Sequence, residues 1–566
     1  MKSSRFIHAL VVSAAVPALL FACAATDSSD AVVEDAQDTR VVDDSGPTDA
    51  PAEAIPDARS PEDTGPDTSP PGPFNYLIVT ADGLTKTAQA FADYRTQTGY
   101  KVLVRTVSEL APANADDGWI GTEISEFVAG RYKTRVPDSP FYLLIVGDAD
   151  AEDNDRATCV PSLYWPGGWE GAYSDNFYAD VDGDDVPDLA VGRIPVRTDQ
   201  DGLLMLEKVK AHETTYTVGP WNHRIHVWAG EGGFGEDIDL FIETIATKGL
   251  EAVPYDYDLV FAYRNPDSNY YYFPFEEKIH DLLTEGSVMV TYMGHGGGEL
   301  DVPDLSKVIV QNRQAFTVFF ACGTGDYIGA NDCETEKVLK LEGGPMAAIV
   351  SQTTTHPYGN AINAIEVENA VFLDNPDTIG EAMRLMKWRS LYNTEDPMRQ
   401  MIDSFAVLYV APEEMVFVVE DHMYSYNLLG DPAARIRKPE GKVTLEVGDA
   451  KLGSAAQVSG TVVGLDSGTA HVAIVAERTA ILEPLTPVED PHDPANTATV
   501  QANWEKAVSH TVATADLPVT AGAFSGTIDV PTGIPVGNYH VTVYVEDGTK
   551  DALGSVPTKL KKADAQ

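Results

Sequence analysis

Phe141-Tyr-Leu-Leu-Ile-Val146, closed by Gly147-Asp148, is an uninterrupted apolar and aromatic run with none of the alternation that marks a strand with one wet face. Such a run, ended by glycine, reads as a parallel strand covered on both sides. Upstream lie Tyr76-Leu-Ile-Val79, a helical pattern through Phe91 and Tyr94, the run Lys101-Val-Leu-Val-Arg105, and helical spacing from Ile120 to Tyr132. Downstream the alternation resumes with helices over 203–216 and 238–248 and strands over 224–229, 287–292, 316–320 and 346–351. Strand and helix in turn predict an α/β fold, a doubly wound α/β/α sandwich over 74–437 in two subdomains, 74–220 and 221–437.

Past Lys438 the texture changes. Short alternating runs (Val443, Leu445, Val447; Val472, Ile474; Tyr539, Val541, Val543, Val545) separated by Gly, Pro and Asp predict an all-β immunoglobulin-like sandwich over 438–566, without helices, serving packing or adhesion. At the other end, Met1-Lys-Ser-Ser-Arg5 and the apolar run Phe6–Phe21 suit a signal peptide over 1–22. Leu20-Phe-Ala-Cys23 resembles a lipobox, which implies lipidation at Cys23 and a place at the outer membrane or cell surface, with release outside the cell as the variant of that expectation. Residues 23–73 are rich in Asp and Pro and lack aromatics, so they cannot bury enough surface to offset ordering; they read as a disordered acidic tether.

The whole chain of 566 residues carries 39 Lys plus Arg against 87 Asp plus Glu, a formal charge of −48. That field repels phosphate backbones and anionic bilayers, so nucleic-acid binding is excluded and membrane contact is expected only through the N-terminal lipid. Four cysteines in this length make no disulfide scaffold.

In an open α/β sheet, chemistry gathers beyond the C-terminal ends of strands. Val288-Met-Val-Thr-Tyr-Met293 runs into Gly294-His295-Gly296-Gly-Gly298, and Phe316-Thr-Val-Phe-Phe320 runs into Ala321-Cys322-Gly323. On neighbouring parallel strands, an imidazole and a thiol would face one cleft, where His295 can take the proton of Cys322. Gly296 has no side chain to keep its N–H from a substrate carbonyl, and with the Cys322 N–H it can form an oxyanion hole.

These two strand ends, taken with Tyr142-Leu-Leu-Ile-Val-Gly-Asp148, Asp188-Leu-Ala-Val-Gly-Arg193, Ala229-Gly-Glu-Gly-Gly233 and Leu429-Gly-Asp-Pro-Ala433 in that order along the chain, resemble the gingipains among the caspase-like cysteine peptidases of clan CD. The resemblance implies a cysteine endopeptidase acting on protein or peptide substrates. Cys322 would be the nucleophile, His295 the general base and acid, and Glu231 the carboxylate beside the histidine. It further implies cleavage after Arg or Lys, with Asp237 in Gly235-Glu-Asp-Ile-Asp239 as the acid of the specificity pocket, though Glu236 and Asp239 stand close in the same register. Catalysis needs no cofactor in this reading. A sortase-like transpeptidase, or an idle surface adhesin of peptidase shape, are the alternatives.

One further motif stands apart. Asp180-Val-Asp-Gly-Asp-Asp-Val-Pro-Asp188 sets Asp180, Asp182, Asp184 and Asp188 at positions 1, 3, 5 and 9 around Gly183, which suits a structural Ca²⁺, although Val191 stands where an EF-hand loop has its bidentate glutamate.

Overall fold

Buried aliphatic strands separated by amphipathic helices build a ten-stranded sheet in the computed structural model. It describes residues 73–563 apart from 138, 151–154, 216, 231, 234, 236–238, 240, 241, 246, 248 and 297–312, all within one unit, Pro70–Gln566. The expected signal peptide, Cys23, Glu231 and Asp237 therefore lie outside the described residues.

The strands are β1 (Tyr76–Thr80), β2 (Val102–Thr106), β3 (Tyr142–Val146), β4 (Leu163–Trp165), β5 (Ala172–Ser174), β6 (Ala190–Ile194), β7 (Arg224–Ala229), β8 (Asp258–Tyr263), β9 (Met289–Met293), β10 (Phe316–Phe320), β11 (Ala347–Ser351) and β12 (Tyr426–Leu429). The sheet order is β2-β1-β3-β6-β12-β11-β10-β9-β7-β8, with β4 and β5 forming a separate two-stranded ribbon. Every residue of β3 is buried, as the unbroken apolar run requires.

The two halves meet at β12, which pairs parallel with β6 through Leu429 and Arg193 and antiparallel with β11 through four residue pairs from Ala348↔Leu429 to Ser351↔Tyr426. The strands of the first half thus run opposite to β7–β11. This reversal has a local consequence. The rim formed by the C-terminal ends of β7, β9, β10 and β11 is completed by the N-terminal end of β12, where Tyr426 sits opposite Ser351.

Seven further strands, β13 (Gly441–Val447), β14 (Ala455–Val463), β15 (Ser467–Val475), β16 (Thr511–Thr520), β17 (Ala523–Asp529), β18 (Gly537–Glu546) and β19 (Asp551–Leu560), follow the predicted alternation and bury their own core. Short pairings join the edges of this β-domain, Gly441↔Ala552 and Lys442↔Leu553 on one side and Thr520↔Ala523 on the other, so its sheet closes on itself and leaves no free edge.

The domain is not free of helix, contrary to the sequence expectation. Thr497–Val508 is helical and buries Val500, Trp504 and Ala507, a spacing of i, i+4, i+7 that makes one apolar stripe. Trp504 donates its indole N–H to the Phe261 carbonyl of edge strand β8 at 2.8 Å. Nearby, the Arg478 guanidinium donates to the carbonyls of Leu250, Val253, Pro254 and Tyr257, fastening the β-domain to the loops before β8.

Candidate active site

β9 pairs in parallel with both β10 and β7, with Met293 beside Phe320 on one side and Ala229 on the other. The three strands end together, and their ladders continue past the strand ends: Gly230 N–H donates to Met293 O at 2.9 Å and Gly294 N–H to Phe320 O at 3.3 Å. The loop carrying His295, the loop carrying Cys322 and the Gly230–Gly233 turn are therefore held at one rim. Both His295 and Cys322 are half-buried, reachable from solvent rather than sealed in the core.

The first two loops touch. A Cβ on Gly296 would overlap the Cys322 carbonyl oxygen and lie 3.5 Å from the Cys322 nitrogen, so only glycine fits there. Among the described residues neither the Gly296 nor the Cys322 amide donates to a backbone carbonyl. The third loop reaches the imidazole: the Cβ position of Gly233 is 3.9 Å from His295 Nε2. Gly232 and Gly233 have φ of 81° and 95°, a left-handed backbone natural to glycine. Asp239, one of the three acids in the ambiguous stretch, accepts the Gly233 N–H at 3.0 Å and so braces this turn. The oxygen of His295 accepts the Tyr292 hydroxyl at 3.1 Å, which fixes the backbone under the imidazole.

Cys322 follows the fully buried Ala321, and the turn after it is pinned from two directions. Gly323 and Gly325 donate to Thr353 O and Ser351 O, at 2.9 and 2.8 Å, on the segment leaving β11. Farther along, Arg197 donates to the carbonyls of Ala330 and Gly329 while its Nε holds Asp148 at 2.5 Å. Sequence reasoning missed the segment after β11. Thr355 donates its N–H to Cys322 Sγ at 3.4 Å, its carbonyl accepts the thiol at 3.6 Å, and its hydroxyl stands 3.7 Å from the sulfur.

The other described cysteines differ in setting. Cys159 is buried, Cys333 lies near the N-terminus of the helix Glu334–Leu339, and neither forms a disulfide. Burial pushes both thiols up, with Glu336 adding to the effect at Cys333, so both resist forming the reactive thiolate.

Two acidic clusters have the reach to hold a cation. Asp180, Asp182 and Asp188 bring carboxylate oxygens within 4.8 Å of one another, and repulsion from Asp188 and then Asp184 holds the Asp182 carboxyl above its ordinary range. Asp184, the fourth predicted ligand, lies outside that convergence and accepts the Val186 N–H at 3.0 Å. The second cluster, Asp148, Asp332 and Glu336, was not foreseen. Arg197 binds Asp148 there and Lys340 binds Asp332 at 2.7 Å, while burial, then Asp148, pushes the Glu336 carboxyl up to about 7.

The chain matches the model of peptidase family C25 over residues 69–437. Among solved structures it is similar to the Arg-specific cysteine proteinase gingipain R (RgpB), at 16% identity and TM-score 0.49 over 87% of this chain and 98% of that one. It is likewise similar to the complex of Porphyromonas gingivalis RgpB pro- and mature domains, at 17% identity and TM-score 0.49 over 86% of this chain and 100% of that one. A structure described only as a protease aligns at 15% identity with TM-score 0.51, covering 86% of this chain and 97% of the other, a likeness of fold. No curated protein matches.

Proposed function

The chain belongs to peptidase family C25 and is a cysteine-type peptidase, and on that premise we propose that it hydrolyses peptide bonds with Cys322 as nucleophile and His295 as general base and acid. The observation that carries the assignment of residues is the meeting of their two loops, with Gly296 against the Cys322 carbonyl at the shared end of β9 and β10. The imidazole takes the thiol proton, and the thiolate attacks the scissile carbonyl. The Gly296 and Cys322 N–H groups receive the oxyanion, and collapse to a thioester expels the amine with the proton returned by His295. Water, deprotonated by the same imidazole, then releases the acid. Glu231, two positions before the Gly233 that borders His295, is the carboxylate assigned to orient the ring. Hydrolysis of a peptide library that is lost in Cys322→Ala, with retained folding, tests this reading; activity surviving the substitution overturns it.

Cleavage after basic residues is the finer part of the proposal. RgpB is described as Arg-specific, and an Asp237 carboxylate in the pocket would pair with a guanidinium or ammonium group. Unchanged Arg-substrate turnover in Asp237→Ala would remove this assignment.

The proposed place of action is outside the cytoplasm, through the N-terminal leader and lipidation at Cys23. No helix among the described residues is long and apolar enough to cross a membrane. The proposed structural Ca²⁺ would be held by Asp180, Asp182 and Asp188. These residues fit a hard cation, since their oxygens converge and repel one another, and binding would brace the turn before β6. The melting temperature should rise with Ca²⁺, fall with chelator, and lose both responses in Asp182→Asn.

A further inference from the structure

The geometry points to Thr355 as a thiolate-holding residue: its N–H and its hydroxyl together receive the Cys322 sulfur, with Asn360 and Tyr426 neighbouring that hydroxyl. The inference deepens the peptidase reading and rests on it for its catalytic meaning.

Thr355 is 5% exposed and surrounds the sulfur with all three of its polar groups. A hydroxyl has one proton to give. The Thr355 oxygen accepts the Asn360 side-chain N–H at 2.9 Å, so its proton is not needed there and can be given to Sγ, 3.7 Å away, or to the neighbouring Tyr426 hydroxyl. Asn360 is fixed in that sense, because its carbonyl oxygen accepts the Tyr426 hydroxyl at 2.7 Å. Tyr426 is fully buried, and burial, reinforced by the charge of Cys322, holds its hydroxyl well above the ordinary range. It therefore stays a donor to Asn360, while its oxygen also lies within hydrogen-bonding reach of the Thr355 hydroxyl; the Thr355 proton is shared between that oxygen and the sulfur until the thiolate forms and draws it.

The backbone arm is equally fixed. His356 N–H donates to His422 Nε2 at 3.1 Å, and the other ring nitrogen of His422 faces Val418 O at 2.6 Å. Burial pushes His422 down to about 4, so the ring is neutral at neutral pH and keeps Nε2 as an acceptor.

With the thiol protonated, S–H rests on the Thr355 carbonyl. When His295 takes that proton, the sulfur carries the charge, and the Thr355 N–H and O–H become charge-assisted donors to it. Antiparallel β12 makes this possible by delivering Tyr426 to the rim where β10 and β11 end.

The test follows alkylation of Cys322 by iodoacetamide against pH, read by mass spectrometry of the peptide that contains it, with Cys322→Ala as background. Thr355→Val keeps the shape and removes the hydroxyl, and its profile should move up by about one pH unit while Thr355→Ser stays at the wild-type position. Asn360→Asp gives the Thr355 hydroxyl a carboxylate to donate to, which diverts its proton from sulfur, and should produce a shift of the same sign. Profiles of Thr355→Val and Asn360→Asp that coincide with wild type overturn the inference. Alkylation requires no peptide substrate, so a wild type that fails to cleave peptides would count against the peptidase reading, while these shifts would still decide the role of Thr355.

Discussion

Replacing Gly296 with alanine probes the closest approach in the site. The added methyl would overlap the Cys322 carbonyl oxygen and sit 3.5 Å from the Cys322 nitrogen. Both are backbone atoms that cannot swing aside, so the loops of His295 and Cys322 must part by on the order of 1 Å, a displacement that costs roughly 10²-fold in rate when reacting groups are misplaced. Loss of an aligned oxyanion donor acts in the same direction and is worth about 10²–10³ in kcat. The expected fall in kcat/KM is therefore at least about 10²-fold, or about 2.7 kcal/mol of transition-state stabilisation. Gly296 is half-buried in a loop beyond the strand end, so the melting temperature should move by only a few degrees. The assay is steady-state hydrolysis of a peptide substrate, with the concentration of competent sites set by alkylation of Cys322. Activity within twofold of wild type in a folded Gly296→Ala protein would refute the claim that these two loops form the oxyanion site.

Two further outcomes follow from buried carboxyls. Asp421, 2% exposed, accepts the Trp165 indole N–H and the amides of Gly168, Trp169 and Glu170. Asp421→Asn presents an amide N–H₂ to some of these donors and should cost about 2–4 kcal/mol in urea unfolding; a loss below about 0.5 kcal/mol would contradict the buried network. Glu368 is 2% exposed with one carboxyl oxygen unpartnered, and burial pushes it up to about 8. Because its folded value lies above its unfolded one, its stabilisation is present below about pH 4.5 and is lost as pH rises toward 8. Glu368→Gln should flatten that slope and be the more stable protein at pH 8, by a few kcal/mol at most. An unchanged slope between pH 5 and 8 would show that Glu368 is already ionised.

Much of this architecture was readable because buried parallel strands advertise themselves. β3, β9, β10 and β11 are largely apolar, fully buried runs, and the rule that chemistry lies beyond such strand ends points to His295 and Cys322. The same rule, applied to β11, points at Thr353–Thr355, but three threonines carry no acid–base signature to single them out. Tyr426 was hidden for another reason. β12 has only four residues and follows directly on the helix Pro412–Ser425, with no turn signal between them, so neither the strand nor its antiparallel direction could be inferred. The helix Thr497–Val508 sits within a β-domain and was masked by the alternating runs on either side, although its Val500, Trp504, Ala507 stripe was present in the sequence. Asp184 illustrates the limit of spacing rules. Its position in the acidic loop suits a ligand, while one of its oxygens also accepts the Val186 amide at 3.0 Å, a local bond that spacing does not reveal.

In the proposed reaction Cys322 carries the acyl group during turnover. Acid-quenching the wild-type protein during hydrolysis of a peptide ester and mapping the adduct by mass spectrometry tests it most directly. The expected adduct is a thioester on Cys322, absent from Cys322→Ala and greatly reduced in His295→Ala. An adduct on Cys159 or Cys333, or turnover that continues without Cys322, would contradict it.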